Sequence, residues 1–183
     1  MLDLLSLQKH FILKHLTEGG VAVDYTMGNG NDTLFLSRTV GNTGRVFAFD
    51  VQNQALESTK KLLEENNAPK NYTLILDSHH NLKKYVNVPV NAGMFNLGWL
   101  PGSDKSVTTR LETTLPAIAD AIDVLAPDGV IIVAVYPGHP EGEEEGKAIS
   151  EYLSRLDRRK YTCAVFRIVN SPSSPYFFVI ESK

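Results

Sequence analysis

The stretch Val21-Ala-Val-Asp-Tyr-Thr-Met-Gly-Asn-Gly-Asn-Asp-Thr33 decides how the chain is read. Val21 and Val23 are β-branched and suit a buried strand. Gly28 and Gly30 supply a turn that tolerates positive φ and lets a ligand approach the backbone closely. Apolar Leu34, Phe35 and Leu36 follow at once, so a helix opens there, with Asn31 or Asp32 expected as its cap. Backbone N–H groups at such a helix start are unpaired and face a polar ligand.

Outward from this turn, strands and helices alternate. Upstream, apolar residues at 4, 5, 7, 11, 12, 13 and 16 make Leu2–Leu16 an amphipathic helix that stops at Gly19-Gly20, so residues 1–19 form an N-terminal helical segment. Downstream, the pattern predicts a helix to about Val40, a strand over Arg45–Asp50, a helix over Asn53–Asn66 and a strand over Tyr72–Asp77. A fourth strand over Val88–Asn96 is weakened by Pro89 and Gly93. The helix over Thr109–Leu125 contains Pro116, which requires a bend or a helix start nearby. Asp128–Tyr136 is a continuous apolar run, as expected of a central parallel strand covered on both faces. A helix over Glu143–Leu156 and strands over Thr162–Val169 and Tyr176–Ile180 close the chain. Alternation of this kind gives a parallel sheet with right-handed crossovers, and the last two strands pair antiparallel across their short turn. The expected fold is therefore an open α/β sheet of seven strands with helices on both faces, in a single domain over residues 1–183.

The chain has 183 residues, of which 43% are hydrophobic, enough for a sizeable core. No apolar run reaches the roughly 18 residues of a membrane span. The first seven residues carry an early acid and no basic region, unlike a signal peptide. Cys163 is the one cysteine, which excludes an intrachain disulfide and fits a cytoplasmic location. The net charge of −3 is not that of a basic nucleic-acid-binding domain. Any RNA contact would come from a local patch or from a groove assembled in a homodimer, with the apolar terminal strands as candidate edges.

In open α/β sheets ligands bind beyond the carboxyl ends of the strands, at the topological switch point. Asp24, Asp50, Asp77 and Asn96 fall at or near four such ends. The run Gly28-Asn-Gly30-Asn-Asp-Thr33 lacks the third glycine of a dinucleotide fingerprint, and Asp24 and Asp32 would repel a pyrophosphate. S-adenosylmethionine, with a sulfonium and an ammonium, suits such an acidic, amide-rich loop. Asp50 stands where a carboxylate meets ribose hydroxyls, and Asp77-Ser78 would flank the adenine. Asn96-Leu-Gly-Trp99 is similar to the Asn-Pro-Pro-Tyr signature of amino-group methyltransferases. An amide oxygen on Asn96 and the Leu97 carbonyl can accept both hydrogens of an –NH2 group, and Trp99 offers a stacking face. His79 is placed to touch the cofactor, and His139 points at the same rim with a substrate or a helix-entry role. Glu141, Glu143, Glu144 and Glu145 suit a helix N-terminus, and no spacing resembles a metal site.

Several ordered motifs resemble the rRNA-methylase family of class I methyltransferases: Asp24-x-Thr-x-Gly-x-Gly-Asn-Asp-Thr33, Phe49-Asp-Val-Gln52, Asp77-Ser-His79, Phe95-Asn-Leu-Gly-Trp-Leu-Pro-Gly-Ser-Asp-Lys105 and Tyr136-x-Gly-His139. The resemblance implies a Rossmann-like fold of seven strands. It implies cofactor contacts by Asn29, Asn31, Asp50, Gln52, Ser78 and His79, with Asp24, Thr26, Gly28, Gly30 and Asp77 in the same motifs. It implies tRNA as the partner, docked through its anticodon stem-loop, and the wobble 5-aminomethyl-2-thiouridine amine as methyl acceptor. Asn96 and Asp104 would then orient the amine, with Leu97, Trp99, Lys105, Tyr136 and His139 on the substrate side. Trp99 stands where that motif carries tyrosine. Competing readings are methylation of rRNA or a small amine, a dinucleotide-dependent oxidoreductase, and a noncatalytic RNA-binding module.

Overall fold

The computed structural model describes residues 3–98, 108–137 and 140–183. Among the described residues, five α-helices and seven strands run in the order α1 (Leu4–His15), β1 (Val21–Asp24), α2 (Asn31–Val40), β2 (Arg45–Asp50), α3 (Asn53–Glu65), β3 (Tyr72–Leu76), β4 (Val90–Asn96), α4 (Leu111–Asp123), β5 (Leu125–Val135), α5 (Pro140–Ser154), β6 (Tyr161–Phe166) and β7 (Tyr176–Ser182). The strands form one sheet in the order β3-β2-β1-β4-β5-β7-β6. All pairs are parallel except those of β7, which lies antiparallel to both β5 and β6. The fold is thus a Rossmann-like α/β sheet whose strand order reverses between β1 and β4, the crevice where a ligand sits.

Side-chain alternation explains why both faces are covered. In β5, Val130, Ile132 and Ala134 join Ile12 and Leu16 of α1 and Leu36 and Val40 of α2. Ile131, Val133 and Val135 turn the other way, onto Ala117, Ile118, Ala121 and Ile122 of α4 and Ile149 and Leu153 of α5. The period of two divides one apolar run between two cores.

The expected elements are present, with differences at their ends. Asp3 caps α1, its side chain accepting from the Leu5 N–H at 3.0 Å. A short 3-10 helix over His79–Lys84, absent from the sequence reading, follows β3 and is capped by Ser78. β4 begins at Val90, beyond Pro89, and Gly93 serves packing rather than breaking the strand. A methyl group at Gly93 would lie 2.6 Å from the Tyr25 ring, which instead stacks on Phe95 with centroids 3.9 Å apart. Pro116 sits inside α4 on its exposed side, so no buried backbone group loses a partner to it. β6 is an edge strand, largely exposed, with Val165 53% accessible. Among the described residues, no helix is long and apolar enough to cross a membrane.

Candidate active site

A cavity of about 630 Å3 opens at the carboxyl ends of β1, β2, β3 and β4. Its floor is the turn after β1. Gly28 (φ 52) and Gly30 (φ 84) both take the left-handed conformation that glycine permits. Their roles diverge. Gly28 lines the cavity and donates its N–H to Asp50 Oδ2 at 3.1 Å. Gly30 is buried away from the cavity against α3, where a Cβ would lie 2.9 Å from the Thr59 backbone. The Thr59 hydroxyl donates to the Gly28 carbonyl at 3.1 Å and ties α3 to the turn.

Gly30, not Asn31 or Asp32, occupies the cap position of α2, and no side chain caps it. The left-handed Gly30 carries the chain into the helix, so Asn31 and Asp32 fall in the first turn and line the cavity. Asp24, expected at the cofactor, lies beneath the turn instead. It is fully buried, accepts the Thr33 hydroxyl at 2.6 Å and the Thr26 N–H at 3.2 Å, and does not line the cavity. Its carboxylate is consumed in holding the loop closed. Burial, then the nearby Asp32 and Asp50 carboxylates, push its carboxyl up to about 7.

Asp50 is at the rim as expected. Its two oxygens accept from the N–H groups of Gly28 and Gln52 at 3.1 and 3.0 Å. A carboxylate has about four lone-pair sites, so acceptor capacity is left that could take a ligand's hydroxyls. Burial raises its carboxyl above the usual range, against those backbone bonds. Asp77 and Ser78 line the next segment of the rim. The Asn81 amide, the Tyr85 hydroxyl and the Ser78 N–H hold Asp77 in place and lower its carboxyl. His79 is 8% exposed and faces the same cavity. Its Nδ1 lies 3.0 Å from the Tyr25 carbonyl, which can only accept, so Nδ1 carries the proton. Burial lowers its pKa, leaving a neutral ring whose Nε2 has no partner. An orphaned buried acceptor of this kind fits a ligand donor such as an adenine amino group.

Across the switch point, Asn96 N–H donates to the Thr26 hydroxyl at 2.7 Å, and its Nδ2 donates to Asp32 Oδ2 at 2.6 Å. The carboxylate only accepts, which fixes the amide orientation and leaves Asn96 Oδ1 as the acceptor toward the cavity. Thr26, Asn29, Gln52, Leu97 and Tyr136 also line the cavity. Tyr136 is partly exposed, and burial followed by Asp32 raises its phenol. Trp99, Asp104, Lys105 and His139 lie outside the described residues. Among the described residues, the charged lining side chains are Lys9, Asp32, Asp50 and Asp77, a predominantly acidic set.

Several lining residues escaped the sequence reading. Leu5 and Lys9 reach in from α1, and Thr108, Thr109 and Thr113 form a hydroxyl wall beside Gly98. Behind that wall is Glu145, 1% exposed, accepting the hydroxyls of Thr109 and Thr114 at 2.8 and 2.6 Å. The helix-terminus role expected for the four glutamates fits Glu141 and Glu143, in the first turn of α5, but not Glu145. Its spacing from Ile149 and Leu153, both buried, is the signal that places it on the inward stripe.

An acidic crevice at the reversal point of a seven-stranded sheet, with a carboxylate after β2 and amides around a glycine turn, defines a class I S-adenosylmethionine-dependent methyltransferase. The chain belongs to the family described as "Putative rRNA methylase", whose model matches residues 46–181. It is 37% identical over 171 residues to the Arabidopsis thaliana protein named tRNA (mnm(5)s(2)U34)-methyltransferase, chloroplastic, covering 87% of this chain but only 62% of that protein. The solved "putative rRNA-methylase" of Clostridium thermocellum is 40% identical with a TM-score of 0.96, over 100% of this chain and 99% of the other. A "putative methyltransferase" of Streptococcus mutans, solved in complex with SAH, is 38% identical with a TM-score of 0.91 over 100% and 99%.

Proposed function

We propose that this methyltransferase acts on tRNA, converting the wobble 5-aminomethyl-2-thiouridine to 5-methylaminomethyl-2-thiouridine. The observation that carries the reading is the Asn96 amide, oriented by Asp32 so that its oxygen meets a hydrogen-bond donor. The name of the Arabidopsis relative supports the choice of nucleoside. S-adenosylmethionine, when bound, supplies a methyl carbon activated by the sulfonium. Asn96 Oδ1 and the Leu97 carbonyl accept the two amine hydrogens, which aims the nitrogen lone pair. Asn29, Asn31, Asp50, Gln52, Ser78 and His79 hold the donor, and Tyr136 lines the acceptor side; the family resemblance assigns Trp99, Asp104, Lys105 and His139 to the substrate as well. Desolvation and the neighbouring positive charge both disfavour the ammonium form of the acceptor, freeing its lone pair. Catalysis is then alignment rather than covalent chemistry.

The same reading has the anticodon stem-loop as the docked element, a cytoplasmic site of action and a single catalytic domain over residues 1–183. It also has a homodimer across the uncovered β6 edge, which gathers the phosphate contacts one acidic chain lacks. The test is methyl transfer to tRNA purified from cells lacking this gene, with rRNA fragments in parallel and nucleoside mass analysis of both. Gain of one methyl group on the wobble nucleoside supports the reading. Methylation confined to rRNA, or none with intact cofactor binding, rejects it.

A further inference from the structure

Behind the acceptor side of the cavity runs a hydrogen-bonded relay that crosses three elements. The Gly98 N–H donates to the Thr109 hydroxyl at 2.9 Å, and that hydroxyl donates to Glu145 Oε2 at 2.8 Å. The Thr109 N–H returns a bond to the Gly98 carbonyl at 3.0 Å. Thr114 donates to the other Glu145 oxygen at 2.6 Å. Glu145 is 1% exposed, on α5, next to Gly146, where a methyl group would collide with the Tyr176 hydroxyl. A carboxylate at that depth is tolerated only when firmly hydrogen-bonded.

The direction of the relay is fixed by chemistry. A carboxylate only accepts, so the Thr109 proton must point at Glu145, and a Thr109 lone pair is left to receive the Gly98 N–H. Each bond polarises the next. Gly98 has φ 132, a conformation open to glycine, and it stands two residues after Asn96. Its placement sets the path of the Asn96–Leu97–Gly98 backbone, and so where the Leu97 carbonyl points relative to the Asn96 amide.

We propose that Glu145, acting through Thr109, is a positioning residue for the methyl acceptor, holding the Asn96–Gly98 backbone so that both acceptor groups converge on one amine. The inference rests on the amine-acceptor reading above. Glu145 touches no reacting atom. Its effect is on alignment, where a displacement of about 1 Å can cost about 100-fold in rate.

The full-length protein with Thr109→Val, Thr109→Ser and Glu145→Gln tests it. Valine keeps the shape of threonine and removes both hydroxyl bonds. Glutamine presents an N–H2 group to one threonine and breaks the polarity of the relay. Serine retains the hydroxyl. The measurements are kcat and KM for undermethylated tRNA, S-adenosylmethionine affinity by calorimetry, and amide hydrogen exchange at Gly98. Thr109→Val and Glu145→Gln should lower kcat about 10- to 100-fold and leave cofactor affinity within about twofold. Gly98 exchange should rise at least about tenfold, in line with loss of one hydrogen bond. Thr109→Ser should recover most of the loss. If Glu145→Gln fails to fold, Thr109→Val carries the test, since it keeps the Thr114–Glu145 bond. Undiminished kcat in Thr109→Val, equal loss of cofactor affinity and kcat, or unchanged Gly98 exchange would overturn the relay. A wild-type protein inactive on tRNA would instead sink the substrate reading, and the relay would then stand or fall on Gly98 exchange.

Discussion

The two sides of the cavity are built by different means. On the donor side, beyond β1, β2 and β3, most bonds join residues close in the chain: Asp24 with Thr26 and Thr33, Asp50 with Gln52, Asp77 with Ser78 and Asn81. On the acceptor side, beyond β4 and beneath α4 and α5, the bonds span the chain. Asn96 and Asp32 are 64 residues apart, Thr109 and Glu145 are 36 apart. The side proposed to seat the donor is thus built mainly from turns, joined by the Gly28–Asp50, Gly28–Thr59 and Tyr25–His79 bonds, whereas the side proposed to seat the acceptor is held mainly by bonds between distant segments. Damage to the acceptor side should spare cofactor binding, and damage to the donor side should not.

The sharpest division between the two sides is at Asn96. Asn96→Ala removes the amide oxygen and leaves Asp32 without its 2.6 Å donor. Methyl transfer should fall about 10²- to 10³-fold, the scale of losing one preorganised hydrogen-bonding group at a reacting centre. Cofactor affinity measured by calorimetry should change less than about threefold, well under the value of one hydrogen bond to a charged group. A parallel loss in both quantities would erase the division between the two sides.

Asp50→Ala probes the donor side. It removes the acceptor for the Gly28 and Gln52 N–H groups along with any ribose contact. Cofactor affinity should drop about 10- to 100-fold, the scale of one or two charge-assisted hydrogen bonds. With saturating cofactor, kcat should recover to near the wild-type value. Persistent loss of kcat would show that the carboxylate also serves the acceptor side.

The same contrast decides what was legible in the amino-acid sequence. Strand and helix order follows from hydrophobic period and glycine punctuation, which are local, and the topology follows from alternation. The glycine turn and the rim carboxylate Asp50 were legible because strand ends and their spacing define them. Asp24, expected at the cofactor, is buried under the loop, and Asp32, expected as a helix cap, faces the cavity. Nothing in their spacing distinguishes them, because a left-handed Gly30 sets the helical phase of α2. Glu145 was hidden among neighbouring glutamates, and its threonine partners come from α4 and the segment just before it. Lys9 enters the cavity from α1, a helix whose packing site on the sheet no local pattern records.

Gly30, expected to let a ligand approach, serves packing instead. A methyl group there meets the Thr59 Cα at 2.9 Å and must occupy φ 84. Gly30→Ala should lower folding stability by more than the about 1–2 kcal/mol cost of a left-handed non-glycine residue, because the Thr59 contact adds to it. Denaturant midpoints measure this, and Gly98→Ala is the control. That glycine also has positive φ, at 132, but nothing lies within 4 Å of its added methyl. Equal losses would mean that backbone strain rather than the α3 contact dominates.

Asp24 offers the gentlest perturbation, because an asparagine there can keep the loop bonds while removing the titrating group. Burial and the Asp32 and Asp50 charges raise its folded-state carboxyl to about 7, well above that of an ordinary aspartate. Between those values the folded chain retains a proton that the unfolded chain has released. The contribution is therefore fully present below the unfolded pKa and is lost as pH rises through the folded one, so stability falls with pH in that window. One proton sets an upper limit of about 1.4 kcal/mol per pH unit on the slope. Asp24→Asn preserves an acceptor for the Thr26 N–H and offers a donor to the Thr33 oxygen, so the loop remains closed. Denaturation of the cofactor-free variant from pH 4 to pH 8 should show a flatter profile than wild type. An unchanged slope would assign the pH dependence to groups elsewhere in the chain and leave Asp24 ionised under the turn.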